Sequence, residues 1–273
     1  MTTTGSFGHR ESKTEIQIRS PDLNIRKLGI VSRDYRHTFP NGCRDFSHVM
    51  PSVLKRLDDE SCDAVLFSLY SIALPQRFDL FGVLRGLKRI SAVFIEEFRD
   101  EGGSKRTTIR YVVYYRSKEK WTEYDFQQKF GTLTGMPPNF MSNFVANEVP
   151  KRILGNCCVL LCGESNGVKY SRANKNVEDR FGLRAAIPQQ VSVILNPIHD
   201  RMTRFEMKRK RKFLSECKRW VVSVWNRGKE DKNGKARDGS GLSWTIFYDG
   251  CEKLVEPIPN EFEVDIGVLD MVK

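Results

Sequence analysis

The residue best placed to do chemistry is Cys162. It closes the apolar stretch of ILGNCCVLLCGESN (residues 153–166), which then breaks into Gly163-Glu164-Ser165-Asn166. A buried strand that stops at a thiol puts sulfur at the carboxyl end of a sheet, where open α/β folds keep their ligands. An isolated cysteine is more often an inert core residue, so its neighbours decide the reading. A nucleophilic thiol needs a lowered pKa or a nearby base, and an ammonium group can stabilise both thiolate and oxyanion. Two further segments end strands on polar residues that could converge with Cys162: Gln127-Gln128-Lys129-Phe130 and Asn196-Pro197. Lys129 supplies the ammonium in this reading; its plainer role is a solvated lysine at a strand end. Glu148 and Glu164 are the carboxylates that could approach the thiol as a base, against the plainer roles of loop carboxylate and ion-pair partner.

Composition excludes several alternatives. The chain has 273 residues, 40% of them hydrophobic, enough for a full core. No apolar run approaches the roughly 18–20 residues that span a bilayer, and MTTTGSFGHRESKTEIQIRS carries no apolar signal-peptide segment. The seven cysteines include no CxxC pair, and Cys157 and Cys158, adjacent in a strand, would face opposite sides. With four histidines out of ligand spacing, this argues against a metal site or a disulfide framework, and for a reducing cytoplasm. A net charge of +11 favours acidic partners. Only Lys208–Lys212 is densely basic, and at helical pitch it reads as a solvated helix face. No helix-turn-helix, zinc finger or aromatic RNP-like motif supports nucleic-acid binding.

Apolar runs of strand length alternate with helix-like segments. Leu28–Ser32, Asp63–Tyr70 and Ser91–Phe98 read as strands, with helices at Asp45–Asp58 and Phe78–Leu87 between them. After a Gly102-Gly103 turn, Thr108–Arg116 and Trp121–Phe126 form a hairpin of β-branched and aromatic residues. Gly131–Asn147 reads as a loop, Ile153–Cys162 as one strand, and Asn166–Ala186 as a polar loop or short helix. Val191–Asn196 and Trp220–Asn226 are strands flanking a charged helix at Arg201–Cys217. Arg227–Gly241 reads as a surface loop, and a last hairpin turns at Asp249-Gly250. The expectation is a polar tail over residues 1–25 and one α/β domain over 26–273.

In their order these segments resemble the nitrilase, or carbon–nitrogen hydrolase, superfamily. YDFQQKFGTL is similar to its strand-then-lysine motif. CCVLLCGE resembles its nucleophile motif, and VSVILNPIHDRM the strand that follows. KRKFLSECKRWVVSVWN and SGLSWTIFYDGCEKL resemble the arginine-bearing helix with its strand, and the closing hairpin. The resemblance covers about residues 26–270. It implies a four-layer α-β-β-α sandwich, a Glu-Lys-Cys triad with Cys162 and Lys129 in place, a small amide or nitrile substrate, no cofactor, and a homo-oligomer. One element departs from the pattern. The family's glutamate ends its second strand after a proline, and the matching residues here are Ser68 and Leu69, neither of which can take a proton as a carboxylate does. Glu96 and Glu97 resemble a carboxylate the family often carries at the end of its third strand, away from the triad. Two readings follow: a thiol-dependent amide hydrolase with Glu148, Glu164 or Glu97 as base, or a binding module that kept the fold without the triad.

Overall fold

Alternation within the strands decides how the layers pack, because successive side chains point to opposite faces. The computed structural model describes residues 20–36, 44–76, 78–101, 106–199, 204–228 and 241–272. Strands β1 (Lys27–Arg33), β2 (Ala64–Phe67) and β4 (Ala92–Asp100) run parallel, connected through helices α1 (Met50–Asp59) and α2 (Leu80–Arg85). The short β3 (Ile72–Ala73) pairs with the far half of β4. The hairpin of β5 (Arg106–Ser117) and β6 (Lys120–Phe126) continues the sheet antiparallel. On its other edge β1 accepts the last strand, antiparallel along its whole length: β15 (Val264–Asp270) in chain order.

The second sheet repeats the plan. Parallel strands β8 (Cys157–Val159), β11 (Val193–Pro197) and β12 (Trp220–Val224) are flanked by β7 (Ile153–Leu154) on one side. The hairpin of β13 (Trp244–Tyr248) and β14 (Cys251–Lys253) lies on the other. Between β8 and β11 come the hairpin β9 (Lys169–Ser171) and β10 (Asn176–Glu178) and the short α4 (Leu183–Ala186). Helix α5 (Phe205–Ser215) links β11 to β12.

Three apolar clusters follow from strand parity. Leu28, Leu66, Phe94 and Val113 of the first sheet meet Cys157, Val159, Leu195 and Val222 of the second in one cluster. The odd-face residues Val65, Phe67, Val93 and Ile95 pack instead with Val53, Leu54 and Leu57 of α1 and Leu84 of α2. On the second sheet's far side, Cys158, Ile194 and Val221 pack with Leu214 of α5. Cys157 and Cys158 therefore do enter different clusters.

Several sequence expectations need correction. Gly131–Asn147 is not a loop throughout: α3 (Phe140–Asn143) runs into a π-turn at Phe144–Glu148 and a 3-10 turn at Val149–Arg152. Phe144 and Val149 are buried there against Leu160 and Leu183, and that burial outweighs the prolines and small residues that suggested a loop. Ile153–Cys162 is not one strand. Gly155, at φ +63°, turns β7 back on β8, and any side chain there would strike the backbone of Leu23. The basic block of α5 is not wholly solvated: Lys210 and Arg211 are buried. Strand β15 carried no helical or turn signal and was missed. The Gly102-Gly103 turn, most of the 1–25 tail and residues 229–240 of the expected surface loop lie outside the described residues.

One carboxylate anchors the first βαβ connections. Asp58, in the last turn of α1, accepts the backbone N–H groups of Lys88 (2.9 Å), Arg89 (2.6 Å) and Ile90 (2.8 Å) just before β4. Burial works against its charge, but those hydrogen bonds outweigh it and hold the carboxyl below its usual range. A lowered carboxylate contributes stability above its unfolded pKa, near 4, and loses it as pH falls through the folded value. Asp58→Asn should therefore cost about 1–3 kcal/mol at pH 7 in urea denaturation. The gap to the unsubstituted protein should narrow below about pH 4.

Candidate functional site

Register alone brings the thiol to a histidine. β8 and β11 are parallel neighbours with Val159 opposite Leu195. Leu160 N–H continues the pairing to Leu195 O at 2.9 Å. Cys162 and His199 then leave the carboxyl ends of these two strands side by side. Cys162 starts a 3-10 turn (Cys162–Gly167) with its backbone at φ +23°, a conformation that L-residues rarely hold. Strain of this kind clusters at functional sites.

His199 is the neighbour that favours the Cys162 thiolate, through its ring and its backbone N–H. Burial opposes the thiolate, yet these groups and the imidazolium charge outweigh it and pull the thiol below its usual range. Burial alone prevails at Cys62 and Cys158, whose thiols are pushed up to about 12. His199 is itself buried, which disfavours its charge. The bonds to Cys162 and Glu96 win, holding the imidazolium to about 9.

Glu96 completes the line from the other sheet. Its Oε2 lies 3.2 Å from His199 Nε2 and accepts Tyr70 N–H at 2.7 Å; its Oε1 accepts Thr108 Oγ1 at 3.0 Å. Parity separates the two glutamates of β4. Glu96 shares the inner face with Phe94, while Glu97 points outward to Arg110 Nε (2.7 Å) and Tyr114 OH (3.0 Å). Tyr70, at φ +56°, lays its ring 4.4 Å from the His199 ring. Leu69 is buried in the inter-sheet cluster against which Cys162 packs.

The other candidates sit in a second, adjoining arrangement. Lys129 Nζ lies 3.1 Å from Glu148 Oε2, and Lys151 Nζ lies 2.9 Å from Glu148 Oε1. Lys129 and Glu148 line a cleft of about 280 Å³ with Phe140, Asn143, Phe144 and Asn147. Glu164 is fully buried and multiply bound. It accepts Arg152 Nη2 (2.7 Å), Lys129 N–H (2.9 Å) and Leu161 N–H (2.9 Å). Burial raises the Glu164 carboxyl and lowers Arg152, and their mutual attraction opposes both shifts. The backbones of residues 131 and 163 touch so closely that a Cβ on Gly163 would fall 2.2 Å from Gly131 O. Glu164 and Gly163 thus fasten the Lys129 segment to the Cys162 turn.

Beneath the turn lies Arg211, fully buried. Its Nη2 donates to Asn196 Oδ1 (2.6 Å) and Ser165 Oγ (3.1 Å), and its Nε donates to Ser223 Oγ (3.2 Å). Ser165 Oγ donates in turn to Cys162 O at 3.2 Å. Burial lowers Arg211 to about 10, and the thiolate works the other way, favouring its charge. No group of metal-ligating side chains occurs among the described residues.

Sequence reading missed His199 because histidines were tested only for ligand spacing. The signal was present in NPIH: the histidine stands two residues past Pro197, the end of the strand beside the one that leads to Cys162.

No protein-family model and no curated protein matches the chain. Among solved structures it resembles a double mutant of the amidase from Nesterenkonia sp. AN1 in complex with acrylamide, at 13% identity and a TM-score of 0.49, over 90% of each chain. A carbon-nitrogen hydrolase from Helicobacter pylori G27 matches at 11% identity and a TM-score of 0.46, over 91% of this chain and 90% of that one. Nit3 of Saccharomyces cerevisiae, from branch 10 of the nitrilase superfamily, matches at 9% and 0.42, over 92% and 93%. These nitrilase-superfamily structures match the chain across most of its length at low sequence identity.

The two glutamates beside Lys129 should respond differently to neutralisation. Glu164→Gln leaves the Arg152 guanidinium buried without a counter-charge and should cost about 3–5 kcal/mol. Glu148→Gln removes two partly exposed pairs, with Lys129 and Lys151, and should cost less than about 1 kcal/mol. Urea denaturation of both variants gives the comparison.

Proposed function

We propose that the chain is a thiol-dependent hydrolase of small amides, with Cys162 as nucleophile, His199 as acid and base, and Glu96 as the residue that orients His199. The observation that carries this reading is the placement of His199 beside Cys162 at the ends of neighbouring parallel strands, with Glu96 Oε2 3.2 Å from its Nε2 and the ring favouring the thiolate. A thiol, an imidazole and a carboxylate in series meet the geometric requirements of nucleophilic catalysis. The resemblance of YDFQQKFGTL and CCVLLCGE to carbon–nitrogen hydrolase motifs supplies the amide. In the same reading the layers form a four-layer α-β-β-α sandwich over residues 26–273, in a reducing compartment where the six described cysteines stay free.

The steps balance without any further reagent. The thiolate adds to the amide carbonyl carbon, and the tetrahedral adduct collapses as the amine leaves with the proton of the His199 imidazolium. His199, now neutral, takes a proton from water. The hydroxide formed attacks the thioester, releasing the acid and restoring the thiolate beside the imidazolium. Glu96 faces the ring throughout and favours its charged form. Lys129, tied to the Cys162 turn through Glu164 and paired with Glu148, lines an adjoining cleft; a homo-oligomer would enclose that side further.

Cys162→Ala should abolish hydrolysis across a panel of small amides. His199→Gln should lower it by about 10²–10⁴-fold and slow iodoacetamide labelling of Cys162 at pH 7 by at least about tenfold, because the thiol loses the charge that lowers its pKa. Hydrolysis should decline as pH rises through about 9, where the imidazolium gives up the proton needed by the leaving amine. A Cys162 that labels no faster than the exposed Cys217 and Cys251 would overturn the enzyme reading and leave the binding module.

A further inference from the structure

Tyr70 touches both of the groups that serve the thiol. Its backbone N–H donates to Glu96 Oε2 at 2.7 Å, the same oxygen that lies 3.2 Å from His199 Nε2. Its ring lies 4.4 Å from the His199 ring, centroid to centroid, and is tilted to it by 42°.

The backbone explains how one residue reaches both. Tyr70 lies between β2 and β3 at φ +56°, in the left-handed region that a bulky L-residue rarely enters. Its two neighbours are pinned. Leu69 O accepts Asn226 Nδ2 at 2.7 Å. Ser71 N–H donates to Glu96 O at 3.1 Å, and Ser71 Oγ accepts Glu96 N–H at 2.9 Å. The sharp turn therefore falls on Tyr70, and strain of this kind persists only where the surroundings over-determine it. Phe98 at 5.3 Å, Tyr35 at 6.3 Å and the Arg106 guanidinium at 5.5 Å also seat the ring. The Tyr70 hydroxyl makes no hydrogen bond among the described residues.

One hydrogen bond at Nε2 fixes a point of the imidazole but not its plane, because rotation about Cβ–Cγ is soft. A ring packed at 4.4 Å restricts that rotation, and aromatic electrons at this range attract a cation. The charged groups that act on Tyr70 are Glu96, the Cys162 thiolate and Arg106. Burial and the two anions raise its phenol and Arg106 opposes them, so the ring stays neutral.

We propose that Tyr70 is a positioning residue for the reaction: its ring sets the plane of the His199 imidazole beside Cys162, while its backbone N–H sets the Glu96 oxygen that faces the same imidazole. This rests on the reading of Cys162 and His199 as the reacting pair, and it gives the left-handed turn at Tyr70 a task.

Iodoacetamide labelling of the full chain as a function of pH reads the Cys162 thiolate, with the exposed Cys217 and Cys251 as references in the same molecule. The thiolate displaces iodide, so the rate follows its ionised fraction. Tyr70→Phe keeps the ring and should leave the Cys162 profile unchanged. Tyr70→Leu and Tyr70→Asn remove the ring and keep the backbone N–H. Each should move the midpoint at Cys162 up by about half to one pH unit, because an imidazolium out of place favours the thiolate less. The profiles at Cys217 and Cys251 should not move. Asparagine enters left-handed backbone more readily than leucine, so Tyr70→Asn decides should Tyr70→Leu not fold.

A ring that only fills space gives a different result. Tm then falls in Tyr70→Leu and Tyr70→Asn while the Cys162 midpoint stays, which overturns the proposal and leaves the thiol reading standing. A midpoint that moves as far in Tyr70→Phe as in Tyr70→Leu assigns the effect to the hydroxyl and overturns the role of the ring. If Cys162 of the unsubstituted protein labels no faster than Cys217, the thiol reading falls and this proposal falls with it.

Discussion

The side chain of Asn226 holds the two sheets together at the end where the candidate site lies. Its Oδ1 accepts Arg33 N–H at 3.1 Å and the Ser68 hydroxyl, and its Nδ2 donates to Leu69 O at 2.7 Å. It follows β12 in the second sheet, whereas its partners end β1 and follow β2 in the first. Apolar burial between the sheets is large but non-directional and would tolerate small slides of one sheet over the other. Buried hydrogen bonds with fixed geometry do not, because a slide leaves polar groups unsatisfied. The constraint matters because the thiol and imidazole come from the second sheet and the carboxylate from the first. The clamp helps keep Glu96 and His199 at 3.2 Å.

Charge order follows from that placement. A buried thiolate, imidazolium or carboxylate would each be costly alone. In series, each charge has an opposite neighbour, and the imidazolium in the middle serves both anions. Tyr70 N–H, on the Oε2 that also faces the ring, and the Thr108 hydroxyl, on Oε1, hold Glu96 in place. Arg211 supports the turn from below through Ser165 and Asn196 and contributes positive charge without reaching solvent. Glu164 has a different task in the same neighbourhood. Its carboxylate is taken up by Arg152 and two backbone N–H groups, so it fixes the positions of the Cys162 turn and the Lys129 segment.

How much of this was legible in the sequence depended on whether the information was local. Strand parity could be read directly: LGIVS, AVLF and AVFI alternate between clusters, and VV in WVVSV does the same. The helical stretch at Phe140–Glu148 was not legible, because Phe144 and Met141 become helical through burial against distant Leu160 and Leu183 rather than through propensity. Arg211 read as one of five solvated cations because its partners, Asn196, Ser165 and Ser223, come from three other segments. Cys162 was legible from its position after an apolar run. His199 showed only as the histidine of NPIH and Glu96 only as a strand-end carboxylate, since their relation to Cys162 exists only once β8 lies beside β11 and the two sheets face each other.

Leu69 and His199 are best understood as two halves of one arrangement. Resemblance to carbon–nitrogen hydrolases leads to a carboxylate at position 69, and the chain has an apolar side chain packed in the inter-sheet cluster instead. The next residue, Tyr70, already gives its backbone N–H to Glu96. A second carboxylate at position 69 would add like charge close to Glu96 and set two anions against each other around one imidazolium. With His199 as the proposed base, an apolar residue at 69 is the compatible choice: it keeps that side dry and leaves Glu96 as the sole carboxylate on the ring among the described residues. What the chemistry requires is a proton acceptor within reach of the thiol. Whether that acceptor ends the second strand of one sheet or follows the middle strand of the other, the reacting carbon meets the same pair of groups.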